Sequence, residues 1–227
     1  MFGNEQVTTQ PIFYLFIAVT ILLSLGYTWG RRRNRRIFLR AFDDLISILK
    51  PRDQQYTNIG GLSGYHANFL PNKNAAIRRA DVTITLMPRQ SWLWYPFSFL
   101  TRKFDRLFLN FELSKKSFGT LKEGHLIEKR YARLPGARIE NEDSLEQEKL
   151  TWGGLQFTLY YEDEKVKQAL LDCKQRLGEP KTLRHLALVP ERERIFLFMI
   201  PRIGSVDAVV RPVYDWFHEL LNKSAEG

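Results

Sequence analysis

Four histidines, one cysteine and a scatter of carboxylates are the side chains from which catalysis or metal binding would have to be built in this chain. His66, His125, His185 and His218 each stand alone, with no HExxH, no CxxC and no His-carboxylate pair at a metal-ligand spacing. A zinc site needs three or four such ligands brought together, so none is assigned. Cys173 is the only cysteine, which excludes an internal disulfide or a multi-cysteine zinc site and suits a reducing compartment. Gly60, Gly61 and Gly64 in NIGGLSG lack both the GxGxxG register and a following Lys-Ser/Thr, so they are turn glycines rather than a phosphate cradle. The acids between 140 and 148 resemble a cation loop only in density and are more simply a solvated run. An enzyme would require His66, His125, Asp81 and Glu112 to converge in one cleft, the only acid-base set the chain offers. The expectation is a non-enzymatic protein with no catalytic residue, metal or cofactor.

The elements that would position any site begin with the nineteen uncharged residues 11–29, PIFYLFIAVTILLSLGYTW. As a helix they extend about 30 Å, the thickness of a bilayer's hydrocarbon core. RRRNRR follows at 31–36, whereas residues 1–10 contain no Lys or Arg and only one acid, Glu5. Cationic flanks stay cytoplasmic, which predicts a single-pass protein of the plasma membrane or endoplasmic reticulum, its N-terminus outside or lumenal and its bulk cytosolic. A cleaved signal peptide would carry its charge before the apolar run, so the anchor is expected to persist. Residues 31–50 hold seven Lys/Arg against two Asp, and residues 51–227 hold 27 against 22. Half of the +9 excess thus sits beside the span, which favours an anionic lipid surface touching Arg31, Arg32, Arg33, Arg35 and Arg36 over a DNA groove.

Six segments follow from patterning: a tail at 1–10, a transmembrane helix at 11–30, a basic juxtamembrane helix at 31–50, an α+β half at 51–136, an acidic loop at 137–150 and a second α+β half at 151–227. Alternation predicts strands at 80–86 and 107–113, with further strands at 64–69, 124–133, 155–161, 183–189 and 194–200 and hairpins around Asn72 and Pro190. Asp163 is placed to cap a helix closed by Gly178, and Ser205 to cap a last helix that Pro212 should kink. The fold class is therefore α+β, a mostly antiparallel sheet with helices on one face.

Two segments lack an obvious place in a core. SWLWYPFSFL at 91–100 crowds Trp92, Trp94, Tyr95, Phe97, Phe99 and Leu100 beside Arg102 and Lys103. One helical face could enter a core, but the successive large residues point all round, so a headgroup layer or an apolar partner should cover the rest. Within the span, Thr20, Ser24 and Gly26 offer a face of small residues suited to helix contact, although Ser and Thr also satisfy their own backbone carbonyls.

Assembled in this order, the chain resembles the calumin family, the membrane-anchored subunit of the PAT (protein associated with translocon) complex. The features are the single span followed by a helix and GLSGYHANFLP, then ITLMPRQSWLWYPFSFLTRKFDRLFLNFEL with Arg89, Gln90 and Leu93 at the positions of the family's L-x-x-R-Q-x-L-L-x-x-L pattern. The third is the closing TLRHLALVPERERIFLFMIPRIGSVDAVVRPVYDWFHELL. The resemblance implies an accessory chaperone or scaffold for insertion of multi-span membrane proteins at the translocon. Its partners would be a small multi-span protein and a protein-conducting channel. A separate reading, from basic strand surfaces at Arg78, Arg79, Lys129, Arg130 and Arg133 and not from the resemblance, is a ribosome or RNA tether. The family's acidic lumenal segment and C-terminal coiled coil have no counterpart here, so lumenal calcium binding is not carried over.

Overall fold

A computed structural model describes residues 11–71, 77–101, 104–132 and 139–226, with the side chains of 99, 115, 116 and 223–226 excluded. The tail at 1–10, the turn around Asn72, and Arg102, Lys103 and Arg133 lie outside the described residues.

The span and the basic segment form one helix, α1 (Pro11–Leu49). It is long and apolar enough to cross a bilayer, and only 6% of its most apolar stretch is buried, unlike the core helix of a soluble domain. Toward its C-terminus the pattern narrows to one stripe: Ile37, Ala41, Phe42, Leu45, Ile48 and Leu49 are buried against the sheet and the last helix. Phe38 stacks on Tyr65 and Phe42 packs edge-on to Tyr56.

Strands β1 (Asp53–Asn58), β2 (Gly64–Leu70), β3 (Ile77–Thr85), β4 (Arg106–Leu113), β5 (Gly124–Glu128), β6 (Glu146–Trp152), β7 (Leu155–Tyr161), β8 (Leu183–Val189) and β9 (Arg194–Met199) make one antiparallel sheet. Its order is β1-β2-β3-β4-β9-β8-β5-β7-β6. Period-two patterning buries Leu107, Leu109, Phe111 and Leu113 of β4 under the helices and leaves Phe108, Asn110 and Glu112 on the open face. The sheet is continuous, because β4 pairs with β9, and β5 leaves the first segment to insert between β8 and β7. The proposed halves therefore share one layer. Helices α2 (Trp94–Leu100), α3 (Lys115–Phe118), α4 (Glu164–Leu177) and α5 (Ser205–Glu226) complete the fold, with α4 and α5 packed beside α1 on the covered face.

Three local expectations are corrected. The strand at 124–133 ends at Glu128, where Tyr131 N–H donates to the Glu128 carbonyl so that Tyr131 can pack on Phe104 and Phe198. Residues 146–150 of the acidic loop are strand β6, and β1 was not foreseen. Ser205 does not cap α5: its hydroxyl bonds Arg202, and Asp207 N–H donates to Asp44 Oδ2 of α1. The Asp163 cap does form, with Oδ1 accepting from Val166 N–H at 2.8 Å. Pro212 cannot donate to the Ala208 carbonyl four residues back, and Lys181 Nζ donates there instead at 3.1 Å.

Candidate functional site

The site grows from one face of α1. Gly26, Gly30 and Asn34, each four residues apart, are buried although their neighbours are exposed. A methyl group at Gly26 would fall within the Trp92 ring, and at Gly30 within the Arg89–Gln90 peptide bond. Only glycine lets the 87–92 backbone approach this closely. One turn on, Asn34 Nδ2 donates to the carbonyls of Met87 (2.9 Å) and Leu62 (3.2 Å) and to Gln90 Oε1 (3.3 Å). Its Oδ1 accepts from Arg89 Nη1 at 2.9 Å. Arg89 forms a two-pronged pair with Asp105 at 2.9 and 2.6 Å, and Asp105 Oδ1 also accepts from Met87 N–H. The opposite charges of Arg89 and Asp105 cancel, and both are buried. This network clamps the loop between β3 and β4 onto α1 immediately beside the arginine run.

The clamp presents an aromatic shelf. Leu93 is 80% exposed, Trp94 60%, Phe97 48% and Leu100 80%, and Trp92 is also exposed. Tyr95 is half-buried and packs edge-on against Trp29. Gly26 precedes Arg31 by five residues, about 7.5 Å along a helix, so Trp92 sits on the apolar side of the cations. Arg31, Arg32, Arg33, Arg35 and Arg36 are all exposed around the same turns of α1. The aromatic segment and the arginine cluster thus border each other.

Thr20 and Ser24 are not part of this contact. Both are exposed, Thr20 donates to its own Phe16 carbonyl at 2.8 Å, and they lie around the helix from Gly26, which packs within the chain. Asn34 and Asp105 were missed by sequence reasoning. The available signal was Gly-x-x-x-Gly-x-x-x-Asn, with one uncharged residue inside five arginines.

The acid-base set does not converge. His66 bonds Thr83 and Asn68, and Arg79 bridges Asp81 and Glu112, all on the open face of β2, β3 and β4. His125 lies on β5 and instead joins His185, which had been read as solitary. Its Nε2 meets Glu123 Oε1 at 2.8 Å and its Nδ1 meets His185 Nε2 at 3.2 Å. If His125 Nε2–H donates to Glu123, His185 Nε2–H donates to His125 and His185 Nδ1 is left a buried, unpartnered acceptor. Burial and the neighbouring His125 hold the His185 imidazole well below its ordinary range, and the His125 hydrogen bond lowers Glu123. The three border a cavity of about 260 Å³ with Asn110, Arg192 and Arg194, and its lining residues include no Ser, Thr, Cys or Lys. The arrangement can relay a proton, and its lining offers no hydroxyl, thiol or amine nucleophile.

Elsewhere, Cys173 is fully buried and burial pushes its thiol up, which disfavours the reactive thiolate. Gly60, Gly61 and Gly64 form the β1–β2 turn. Glu140, Glu142 and Glu148 are paired with Arg192, Tyr160 and Lys167, and among the described residues no group of three or more potential ligands is placed to hold a metal. Arg78 and Arg79 are paired with acids, Arg130 lies over Tyr131, and Lys129 is exposed. No family model and no curated protein matches this chain.

Proposed function

We propose that the chain is a membrane-anchored, non-enzymatic accessory factor that binds other membrane proteins, in the manner the calumin-like resemblance implies for insertion or assembly of multi-span proteins at a protein-conducting channel. α1 crosses the bilayer with the arginines on the cytosolic side, and the sheet forms a cytosolic platform. The observation that carries this reading is the shelf of Trp92, Leu93, Trp94, Phe97 and Leu100, which follows directly on the 89–92 segment packed against Gly26 and Gly30 at the level where the apolar run gives way to arginine. A folded domain does not leave Leu93, Trp94, Phe97 and Leu100 exposed together on one short segment without something apolar to cover them. Trp and Tyr at such a boundary satisfy both an apolar body and a polar tip.

A photo-crosslinking amino acid at Trp94 or Phe97, compared with one at Tyr56 on the edge strand β1, tests the assignment in native membranes. Discrete adducts to a small multi-span protein from 94 and 97, absent from 56, are expected. Lipid adducts alone, or recovery as a lone monomer in mild detergent, would reduce the protein to an anchored domain without this partner.

A further inference from the structure

Beside the aromatic shelf, a second feature runs along a different face of α1. Leu25, Trp29, Arg32 and Arg36 follow at spacings of four, three and four, so they line one strip of the helix surface. Across from them stands the loop between β9 and α5, with Arg202 and Ile203. Between strip and loop lies a groove of about 910 Å³. The loop is fixed rather than loose, because the Ser205 hydroxyl bonds both the N–H and the carbonyl of Arg202.

The charge in this groove is unbalanced. Arg89 in its floor is already matched by Asp105. Arg32, Arg33, Arg36 and Arg202 also line it, Arg33 lying over the Trp29 ring, and none of the four has a carboxylate within ion-pair distance among the described residues. The apolar part is ordered too: Leu25 precedes Arg32 by seven residues, about 10 Å toward the apolar end of the helix, and Ile203 is 60% exposed at the lip. A soluble anion would use the cations and leave Leu25, Trp29 and Ile203 wet. An acyl chain alone would leave the cations unmatched.

We infer that this groove binds one anionic phospholipid, its phosphate among Arg32, Arg36 and Arg202 and an acyl chain along Leu25 and Trp29. The inference rests on the membrane-anchored reading of α1 and deepens it. Diffuse attraction of a basic helix to a charged surface needs no pocket and no Arg202; a bound lipid needs both. Such a lipid would fill the space between the anchor and the β9–α5 loop and fix the angle at which the domain meets the bilayer.

The test uses the full chain in mild detergent, with native mass spectrometry of retained phosphatidylglycerol against phosphatidylcholine. Three proteins are compared: wild type, R32Q/R36Q/R202Q, and the control R31Q/R35Q/R52Q, which removes the same charge from exposed arginines that do not line the groove. One retained phosphatidylglycerol is expected for wild type and control. Retention should weaken roughly fivefold per groove arginine removed. R202Q alone, a change on an exposed loop far along the chain from the anchor, carries the same expectation of about fivefold. Equal losses in both triple variants, no preference over phosphatidylcholine, or displacement of the lipid by inorganic phosphate at comparable concentration would each overturn the inference. Failure of the anchored reading is separate, since it shows as recovery of the chain from broken cells without detergent.

Discussion

Two clusters of buried polar side chains in this molecule follow opposite rules. Around Asn34, Arg89 and Asp105 the charges cancel, and Asp105 accepts from both a guanidinium and a backbone amide. Around Glu123, His125 and His185 the hydrogen bonds form a chain that runs out, leaving His185 Nδ1 buried with no partner. The first cluster ties three distant segments together beside the arginine run of α1. The second borders a cavity, and burial holds its His185 in the neutral form. The contrast separates a clamp, in which each buried charge has its counter-charge although Arg89 Nε is left without a partner, from an array whose end imidazole is buried neutral. That imidazole costs stability once the pH falls far enough to protonate it in the unfolded chain.

Removing one side of the clamp should have the largest effect. Asp105→Ala strands the Arg89 guanidinium in a dry site and is expected to cost about 3–5 kcal/mol, read by urea unfolding of the detergent-solubilised chain. R89M/D105L should recover most of that loss, since both charges leave together. A single-variant cost under about 1 kcal/mol would mean that the clamp does not hold the 87–92 loop. Next in size, Gly30→Val forces a side chain into the Arg89–Gln90 backbone and should cost about 1–3 kcal/mol. Limited proteolysis should then cut within residues 91–100, which stay protected in wild type.

The histidine array predicts a pH dependence of definite sign. Burial keeps the His185 imidazole well below its ordinary value of 6.5, so below that pH the unfolded chain takes up a proton that the folded chain refuses. Its contribution is therefore complete above pH 6.5 and declines as pH falls toward the folded value. His218, lowered by burial between Tyr214 and Phe217, acts in the same direction. Glu123, held down first by its His125 hydrogen bond, adds a second loss below 4.5. Glu128, Asp81 and Asp44, raised by burial, act oppositely above their ordinary values of 4.5, 3.8 and 3.8, where they gain stability as pH falls through their raised folded values. Urea midpoints should thus fall between pH 7 and 5.5, and His185→Phe should flatten that slope. The smallest effect expected is the cost of His185→Phe at pH 8, within about 1 kcal/mol, because removing an unsatisfied buried acceptor offsets the changed packing. A steep slope that survives in the double variant H185F/H218F would place the titrating group elsewhere.

The strands that alternation identified are interior ones such as β3 and β4, where one face is sealed and every second residue must be apolar. The two that were missed or read as loop, β1 and β6, are the sheet's edges. Asp-Gln-Gln-Tyr-Thr-Asn is exposed throughout, and β6 is exposed over most of its length, so neither carries a buried period to detect. Polar side chains there also discourage pairing with another chain. The candidate site divides in the same way. Density of aromatics marked residues 91–100 as needing a cover, and the arginine run marked the boundary. Their adjacency came from Gly26, Gly30 and Asn34, whose signal in sequence is smallness and spacing rather than chemistry. The pairing of His125 with His185 is 60 residues apart in the chain and depends on β5 crossing to lie beside β8.

Composition and periodicity along the chain sufficed to determine an apolar helix of membrane length, a basic edge, an antiparallel sheet covered by helices on one side, and an inert buried cysteine. Each of these follows from local pattern, because burial repeats with the geometry of the helix or strand itself. Which side of α1 meets the aromatic shelf, which arginines share a groove with Arg202, and which histidines touch were decided only by tertiary structure. Those contacts join residues that no period relates, and they exist because long-range strand order brings their backbones within hydrogen-bond reach.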